Sequence, residues 1–182
     1  MKSFATLLTA LILPILLSAQ SEETLKVPRL SKMDIGQSGC SGYFPEGMPK
    51  FVLEKSEDGA DVYTSELEVD GYLFGCITVQ FTEPFSDSSP EELEELLIGY
   101  LDYLEEAFDI YDSVGVGRGH TLESCPSARG VIDYWDDLDE NHFAVKGWVN
   151  QKYIGVMFIA GEAEYPHFNL QQMYLDGFRF GE

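Results

Sequence analysis

Alternating apolar and polar residues predict short strands in the first half of the chain. The stretches 61–69 and 72–81 alternate in this way and flank Asp70-Gly71. Asp-Gly between two such stretches predicts a type I′ hairpin, because both residues of that turn need a positive φ. A third short strand is predicted at 51–55. Strands joined by short hairpins are antiparallel, so these three are expected to form one antiparallel unit.

A long amphipathic helix is predicted to follow. Ser89 stands at the N-cap, Pro90 occupies the first helical position and Glu92 completes a capping box. Gly115 and Gly117 are expected to end the helix. The apolar positions, spaced by three and four residues, are Leu93, Leu96, Leu97, Tyr100, Leu101, Leu104, Phe108 and Tyr111.

The second half of the chain repeats this order of elements. Three strands are predicted at 130–135, 143–149 and 153–160, followed by a short helix that Asn169 caps. The residues expected on the inner face of that helix are Leu170, Met173, Tyr174 and Phe178. Each group of strands needs a helix to cover its apolar face. The pattern therefore predicts an α+β fold, an antiparallel sheet flanked by helices in the order βββ-α-βββ-α.

The N-terminus shows the pattern of a secretory signal peptide. Lys2 precedes an apolar stretch that ends in small residues, and cleavage is expected beside Ala19. Residues 20–49 lack periodicity and are expected to form an irregular leader. The remaining residues, 50–182, are predicted to form a single α+β domain.

The composition is strongly acidic, with a formal net charge of −21. Such a surface repels phosphate backbones, so a nucleic-acid partner is not expected. No later segment is apolar enough to predict a membrane span. We therefore expect a secreted or periplasmic protein after removal of the signal peptide, with its oligomeric state left open.

Three parts of the sequence resemble the PsbP-like architecture, which also includes a Ran-binding nuclear import factor. They are the strands around Asp70-Gly71, the stretch 152–158 and the closing stretch 174–180. The closing stretch is similar to a Leu-Asp-Ser-Phe ending of small exported bacterial relatives, with Gly177 in place of the usual Ser. The resemblance implies an antiparallel sheet flanked by helices, and a binding or assembly role without catalytic residues.

One acidic turn resembles the opening of a calcium-binding loop. Asp137, Asp139 and Asn141 place oxygen atoms at alternating positions, which suits a hard cation. His142 replaces the glycine of such loops, and Trp148 stands where the bidentate glutamate belongs. A polar hairpin turn explains the same residues without metal. Calcium is the one cofactor that the sequence suggests.

The sequence allows several chemical states for the cysteines. If an exported chain forms one disulfide, the loop residues Cys40 and Cys125 are the preferred pair, while Cys76 lies in a predicted strand. Cys125 with His120 suggests a thiol nucleophile and its base, although their spacing shows no hydrogen-bond contact. An unreactive thiol or a disulfide is the favoured interpretation of Cys125.

No convincing catalytic set emerges from the remaining residues. The 32 acidic residues offer many accidental carboxylate pairs, so none can be singled out for hydrolysis. The aromatic residues at strand spacing fit either a core or a platform for a sugar or peptide. They are Tyr63, Tyr72, Tyr134, Trp135, Trp148 and Tyr153. The leading hypothesis is an exported, non-catalytic binding or assembly module for a protein partner; the alternatives are a secreted hydrolase and a calcium-binding protein.

Overall fold

A computed structural model describes residues 26–181 of the chain. The signal peptide predicted at 1–19 lies outside these residues. None of the helices formed between residues 26 and 181 is long and apolar enough to cross a membrane.

The described chain forms ten strands and two helices. In chain order they are β1 (Leu30–Asp34), β2 (Ser41–Pro45), β3 (Val52–Lys55), β4 (Asp61–Val69), β5 (Tyr72–Gln80), α1 (Pro90–Ala107), β6 (Ile110–Ser113), β7 (Gly117–Leu122), β8 (Cys125–Asp137), β9 (His142–Val149), β10 (Tyr153–Gly161) and α2 (Phe168–Leu175). The α+β class is confirmed. Five strands precede α1 and five lie between the helices, where three were predicted in each place.

Eight strands form one antiparallel sheet in the order β3-β4-β5-β10-β9-β8-β6, and β7 also pairs with β8. The last strand, β10, lies in the middle between β5 and β9, so the two halves of the chain meet there. The predicted hairpin at Asp70 and Gly71 joins β4 to β5, with φ of 49° and 78° at the two turn residues. The predicted antiparallel sheet flanked by helices is confirmed.

The sheet is the middle of three layers. Helix α1 packs on one face through the buried residues Leu93, Leu97, Leu101 and Leu104. The other face carries the β1–β2 hairpin and α2, which share a second apolar cluster with residues of β5, β9 and β10. A core therefore lies on each side of the sheet.

The segment predicted to be an irregular leader contains the β1–β2 hairpin. Its residues Ile35 and Phe44 are fully buried against the sheet. Ser41 and Arg179 exchange backbone hydrogen bonds of 2.9 and 2.7 Å, which tie the hairpin to the C-terminal segment. These stabilising contacts join residues far apart in sequence, so the local pattern of residues 20–49 does not show them.

Helix α1 begins as predicted and ends earlier. The backbone N–H of Glu92 donates to Ser89 Oγ at 3.2 Å, and that of Ser89 donates to Glu92 Oε2 at 2.7 Å, which completes the capping box. The helix stops at Ala107, because Asp109 adopts a left-handed conformation with φ of 54°. Tyr111, predicted on the apolar stripe, lies instead in β6 with an exposed side chain.

Helix α2 begins near the predicted position with a different cap. His167 is the N-cap residue and makes no capping hydrogen bond with its side chain, whereas Asn169 lies inside the helix. Tyr174 and Phe178 are fully buried, as predicted for the inner face. Met173, predicted beside them, is 62% exposed. The ring of Phe178 lies over Gly155 of β10, where a Cβ atom would stand 2.3 Å from Phe178 Cε2.

Candidate binding surfaces

Helix α1 covers only part of its face of the sheet. It packs on β6, β8 and β9. Glu95 receives a hydrogen bond from Arg118 at 2.5 Å and Glu94 one from the Gly119 N–H at 3.0 Å, so this flank of the helix faces β7. Tyr100 and Tyr103 lie on the opposite flank of the helix. Tyr103 is 61% exposed there.

An apolar channel lies on the same face beyond α1. We call it the sheet channel and define it by six residues, which are Val52, Leu73, Ile77, Phe108, Phe143 and Phe158. Its volume is about 740 Å³. Val52, on the edge strand β3, is 57% exposed. The channel leaves apolar side chains of β3 and β5 in contact with solvent, on a part of the sheet face that α1 does not cover.

Aromatic rings close one end of the sheet channel. Phe108 lies 5.9 Å from Phe143 and 5.5 Å from Phe158 between ring centroids. The Phe158 ring lies directly over Gly75, where a Cβ atom would stand 2.1 Å from Phe158 Cζ. Any other residue at Gly75 would displace this ring, so Gly75 fixes the shape of the channel floor.

The charged residues at the sheet channel are mostly acidic. Glu66 and Asp137 line it, against the single cation Lys50. Glu66 stands opposite Gly75 in the pairing of β4 with β5 and is exposed. The channel thus combines an apolar floor with a negative edge, as expected in a chain of net charge −21.

A second concavity, which we call the aromatic groove, lies on the opposite face at the N-terminal end of α2. Its volume is about 730 Å³, and its carboxylates are those of Asp136 and Glu164. The aromatic rings that line it are those of Tyr72, Tyr134, Trp135, Phe143, Tyr165 and Phe168. Tyr134 is 42% and Phe168 60% exposed. No Lys or Arg of the described chain lines this groove.

The aromatic platform suggested by the sequence is only partly assembled. Tyr72 and Tyr134 line the aromatic groove, and the buried Trp135 lies at its base, but Tyr63, Trp148 and Tyr153 are buried in the core. Tyr165 and Phe168 were not predicted, because they follow the last strand in a connection without periodicity. Their proximity to Tyr134 arises from the packing of α2 against the sheet.

The residues of the suggested calcium loop form a hydrogen-bonded turn between β8 and β9. Asp137 Oδ1 accepts from the backbone N–H groups of Asp139 at 2.9 Å and Asn141 at 2.8 Å, and its Oδ2 accepts from Asn141 Nδ2 at 2.8 Å. Burial alone would raise the pKa of Asp137, but these hydrogen bonds hold it below its usual value. The turn is explained without a metal, and calcium binding stays a prediction.

The three cysteines are free thiols, so the predicted Cys40–Cys125 disulfide is not formed here. Cys40 is buried, which raises the pKa of its thiol, and its sulfur accepts the Gly181 N–H at 3.4 Å. Burial raises the pKa of Cys76 to about 12. Cys125 lies 3.6 Å from Ser127 Oγ, at the solvent-facing start of β8.

Within the described residues, His120 contacts Lys146, and no hydrogen bond joins it to Cys125. Lys146 is buried, and its ammonium group donates to His120 Nδ1 at 3.3 Å and to Asp176 Oδ1 at 2.5 Å. It also lies 4.9 Å from the Trp148 ring centroid. Lys146 interrupts an otherwise apolar strand, and its partners come from distant segments, so the sequence gives no signal for this cluster.

Comparison with known proteins yields a likeness of fold. No protein-family model matches the sequence, and no curated protein matches it. Among solved structures it is similar to the solution structure of cyanobacterial PsbP (CyanoP) from Synechocystis sp. PCC 6803. The TM-score is 0.50 and the identity 12%, over 85% of this chain and 94% of that one. The chain therefore has the PsbP-like architecture that its sequence resembles.

Proposed function

We propose that this protein is an exported binding or assembly module that acts without catalysis on a protein partner outside the cytoplasm. The observation that supports this most directly is the sheet channel, an apolar concavity on the sheet face beside α1. Such patches on folded domains are typical of interaction sites. The acidic charge disfavours nucleic acid as that partner, and the N-terminal sequence pattern supports export.

The occupant that fits the sheet channel is an amphipathic helix with basic residues along its edges. Three neighbouring strands, β5, β4 and β3, lie beyond β10, whose residues on this face are buried, and they span about 10 Å. A helix with its side chains is about 10 to 12 Å wide, so one fits beside α1. Tyr103 would contact its flank, and Glu66 would face its Lys or Arg residues.

Site-specific photocrosslinking in the native host tests this proposal. A photoreactive amino acid replaces Val52 or Tyr103 in the full chain, and a third variant carries it at Met173 as control. Met173 is 62% exposed on α2, which lies on the other side of the sheet. We expect Val52 and Tyr103 to crosslink the same partner within one amphipathic, basic helical segment, identified by mass spectrometry.

Two results would overturn the proposal. One is equal crosslinking of that partner from Met173; the other is the absence of any partner crosslinked from both Val52 and Tyr103. The variant Val52→Lys supplies an independent readout, since it replaces an apolar contact at the channel edge with a positive charge that repels the basic residues of the proposed helix. It should reduce the crosslink from Tyr103 while the thermal midpoint stays within the range of the parent protein.

A further inference from the structure

We propose that the aromatic groove is a binding site for an organic cation, an alkylammonium group such as a lysine side chain or a quaternary ammonium ion. This site lies on the other side of the sheet from the sheet channel and does not depend on the function proposed above. Aromatic rings attract cations through the negative charge of their faces, and nearby carboxylates strengthen that attraction. The aromatic groove brings both kinds of group together.

The rings of Tyr134, Phe168, Tyr72 and Tyr165 come from four parts of the fold. Tyr134 projects from β8 and Phe168 begins α2, and both are substantially exposed. Between them Tyr72 and Tyr165 pack edge to face, with centroids 5.0 Å apart. The Tyr72 hydroxyl donates to the Glu164 carbonyl at 3.4 Å, which ties the loop carrying Tyr165 to β5. The wall of the groove is thus held in place before any ligand arrives.

The charge at the aromatic groove favours a cation. Asp136 and Glu164 both line it. The other ionisable residues of the described chain in its lining are His142 and the tyrosines. Asp136 Oδ1 lies 2.6 Å from His142 Nδ1, which fixes the carboxylate at the rim. An anionic ligand would meet two carboxylates without a lysine or arginine to balance them.

An NMR titration of the ¹⁵N-labelled protein with choline tests the proposal. Its neutral isostere, 3,3-dimethylbutan-1-ol, has the same shape without the charge and serves as control. We expect choline to shift the amide signals of Tyr134, His142 and Phe168 with saturation, and the isostere to leave them unchanged. Butylammonium, run in parallel, distinguishes the two sources: tighter binding of butylammonium indicates a lysine side chain, and tighter binding of choline a quaternary ammonium ion.

Variants at exposed positions complete the test. Tyr134→Ala should weaken choline binding by about three- to thirty-fold, the range expected for one cation–π contact. Tyr134→Phe keeps the ring and should bind within about two-fold of the parent, and Phe168→Ala gives a second ring deletion with the same expected direction. Met173→Ala, exposed on α2 but outside the groove lining, should change nothing.

The proposal fails if the neutral isostere produces the same saturable shifts, because the groove is then merely apolar. It also fails if choline shifts signals throughout the acidic surface in proportion to its concentration, which indicates diffuse counterion attraction. Unchanged affinity in both Tyr134→Ala and Phe168→Ala would overturn it as well. None of these outcomes bears on crosslinking at the sheet channel, so the two proposals fail separately.

Discussion

Lys146 holds a charged group inside the layer between the sheet and α2. Its ammonium group donates to Asp176 at 2.5 Å, and the lysine side chain is 7% exposed against 48% for that aspartate. Removing one partner of such a pair leaves a buried charge without compensation, which costs more than the pair itself contributes. The pair also ties the end of α2 to β9, so its loss should affect the whole layer.

We therefore expect Asp176→Asn to lower the free energy of unfolding by about 1 to 3 kcal/mol, a range reduced because Asp176 is half exposed. Urea denaturation measures the change. Asp102→Asn, which removes an exposed acid from α1, is the matched control and should stay within about 0.5 kcal/mol of the parent. Equal stability of the Asp176 variant and the parent would show that the ammonium group of Lys146 finds hydrogen-bond acceptors in water without Asp176.

His120 makes the stability contributed by the Lys146 cluster depend on pH. Burial lowers the pKa of His120, and the neighbouring Lys146 lowers it further, while Asp176 and Glu94 act in the opposite direction. Nδ1 of His120 accepts a hydrogen bond from the Lys146 ammonium group. Protonation of His120 would make both groups donors and remove that bond, which agrees with the lowered pKa.

Because the folded protein binds this proton less readily than the unfolded chain, stability is lost as pH falls below about 6.5 and approaches the lower folded pKa. We expect His120→Gln, whose amide oxygen can still accept from Lys146, to flatten this part of the curve. Urea denaturation at several pH values from neutral to mildly acidic measures it. The Asp and Glu residues affect the pH dependence of stability equally in both proteins. Parallel curves of stability against pH for parent and variant would therefore contradict the assignment of this loss to His120.

At the scale of single elements, local signals predicted α1 well because its start depends on adjacent residues. Ser89 and Glu92 complete the capping box with hydrogen bonds of 2.7 and 3.2 Å. Removing a serine N-cap typically costs about 1 kcal/mol, so Ser89→Ala should lower the free energy of unfolding by that amount. The measurement is urea denaturation beside Ser88→Ala, a neighbour outside the capping box. An equal loss in both variants would mean that the segment, not the cap, is being disturbed.

Elements held by distant partners were missed for the opposite reason. Strands β6 and β7 are short and largely exposed, and both pair with β8 along different parts of its length. Their residues carry no alternation, because only Ile110 of β6 and Leu122 of β7 pack against a core while most of their other side chains are exposed. The β1–β2 hairpin likewise depends on α2 and the C-terminal segment for its burial.

At the scale of the molecule, the candidate sites follow from sheet order, which local patterns do not encode. Leu73 and Ile77 look like ordinary core residues in an alternating strand, yet they lie at the sheet channel because α1 covers β8 and β9 instead of β5. The aromatic groove depends in the same way on α2, which packs on β10 and brings Phe168 to the groove. The sequence predicted the layers. The surfaces that these layers leave uncovered could be identified only from the structure.

The net charge of −21 is a property of the whole surface. Mutual repulsion of so many like charges destabilises the compact state, and salt screens it over about 10 Å at 0.1 M. We expect the thermal midpoint to rise as sodium chloride is added at low ionic strength and then to level off. Each 1 kcal/mol of relieved repulsion corresponds to about 2 to 4 °C for a chain of this size. A midpoint that falls with added salt would show that specific ion pairs outweigh the repulsion.

Calcium must be judged against this general effect of salt, since any divalent cation will screen an acidic surface. The Asp137 carboxylate is already engaged by three hydrogen bonds within its turn, so a calcium ion would have to displace some of them. We therefore expect millimolar calcium chloride to raise the thermal midpoint no more than magnesium chloride at the same concentration. Calorimetric titration supplies the direct measurement of binding. A larger shift with calcium that disappears in Asp139→Asn would instead establish a calcium site at this turn, because Asp139 has no hydrogen-bonding role there except through its backbone N–H.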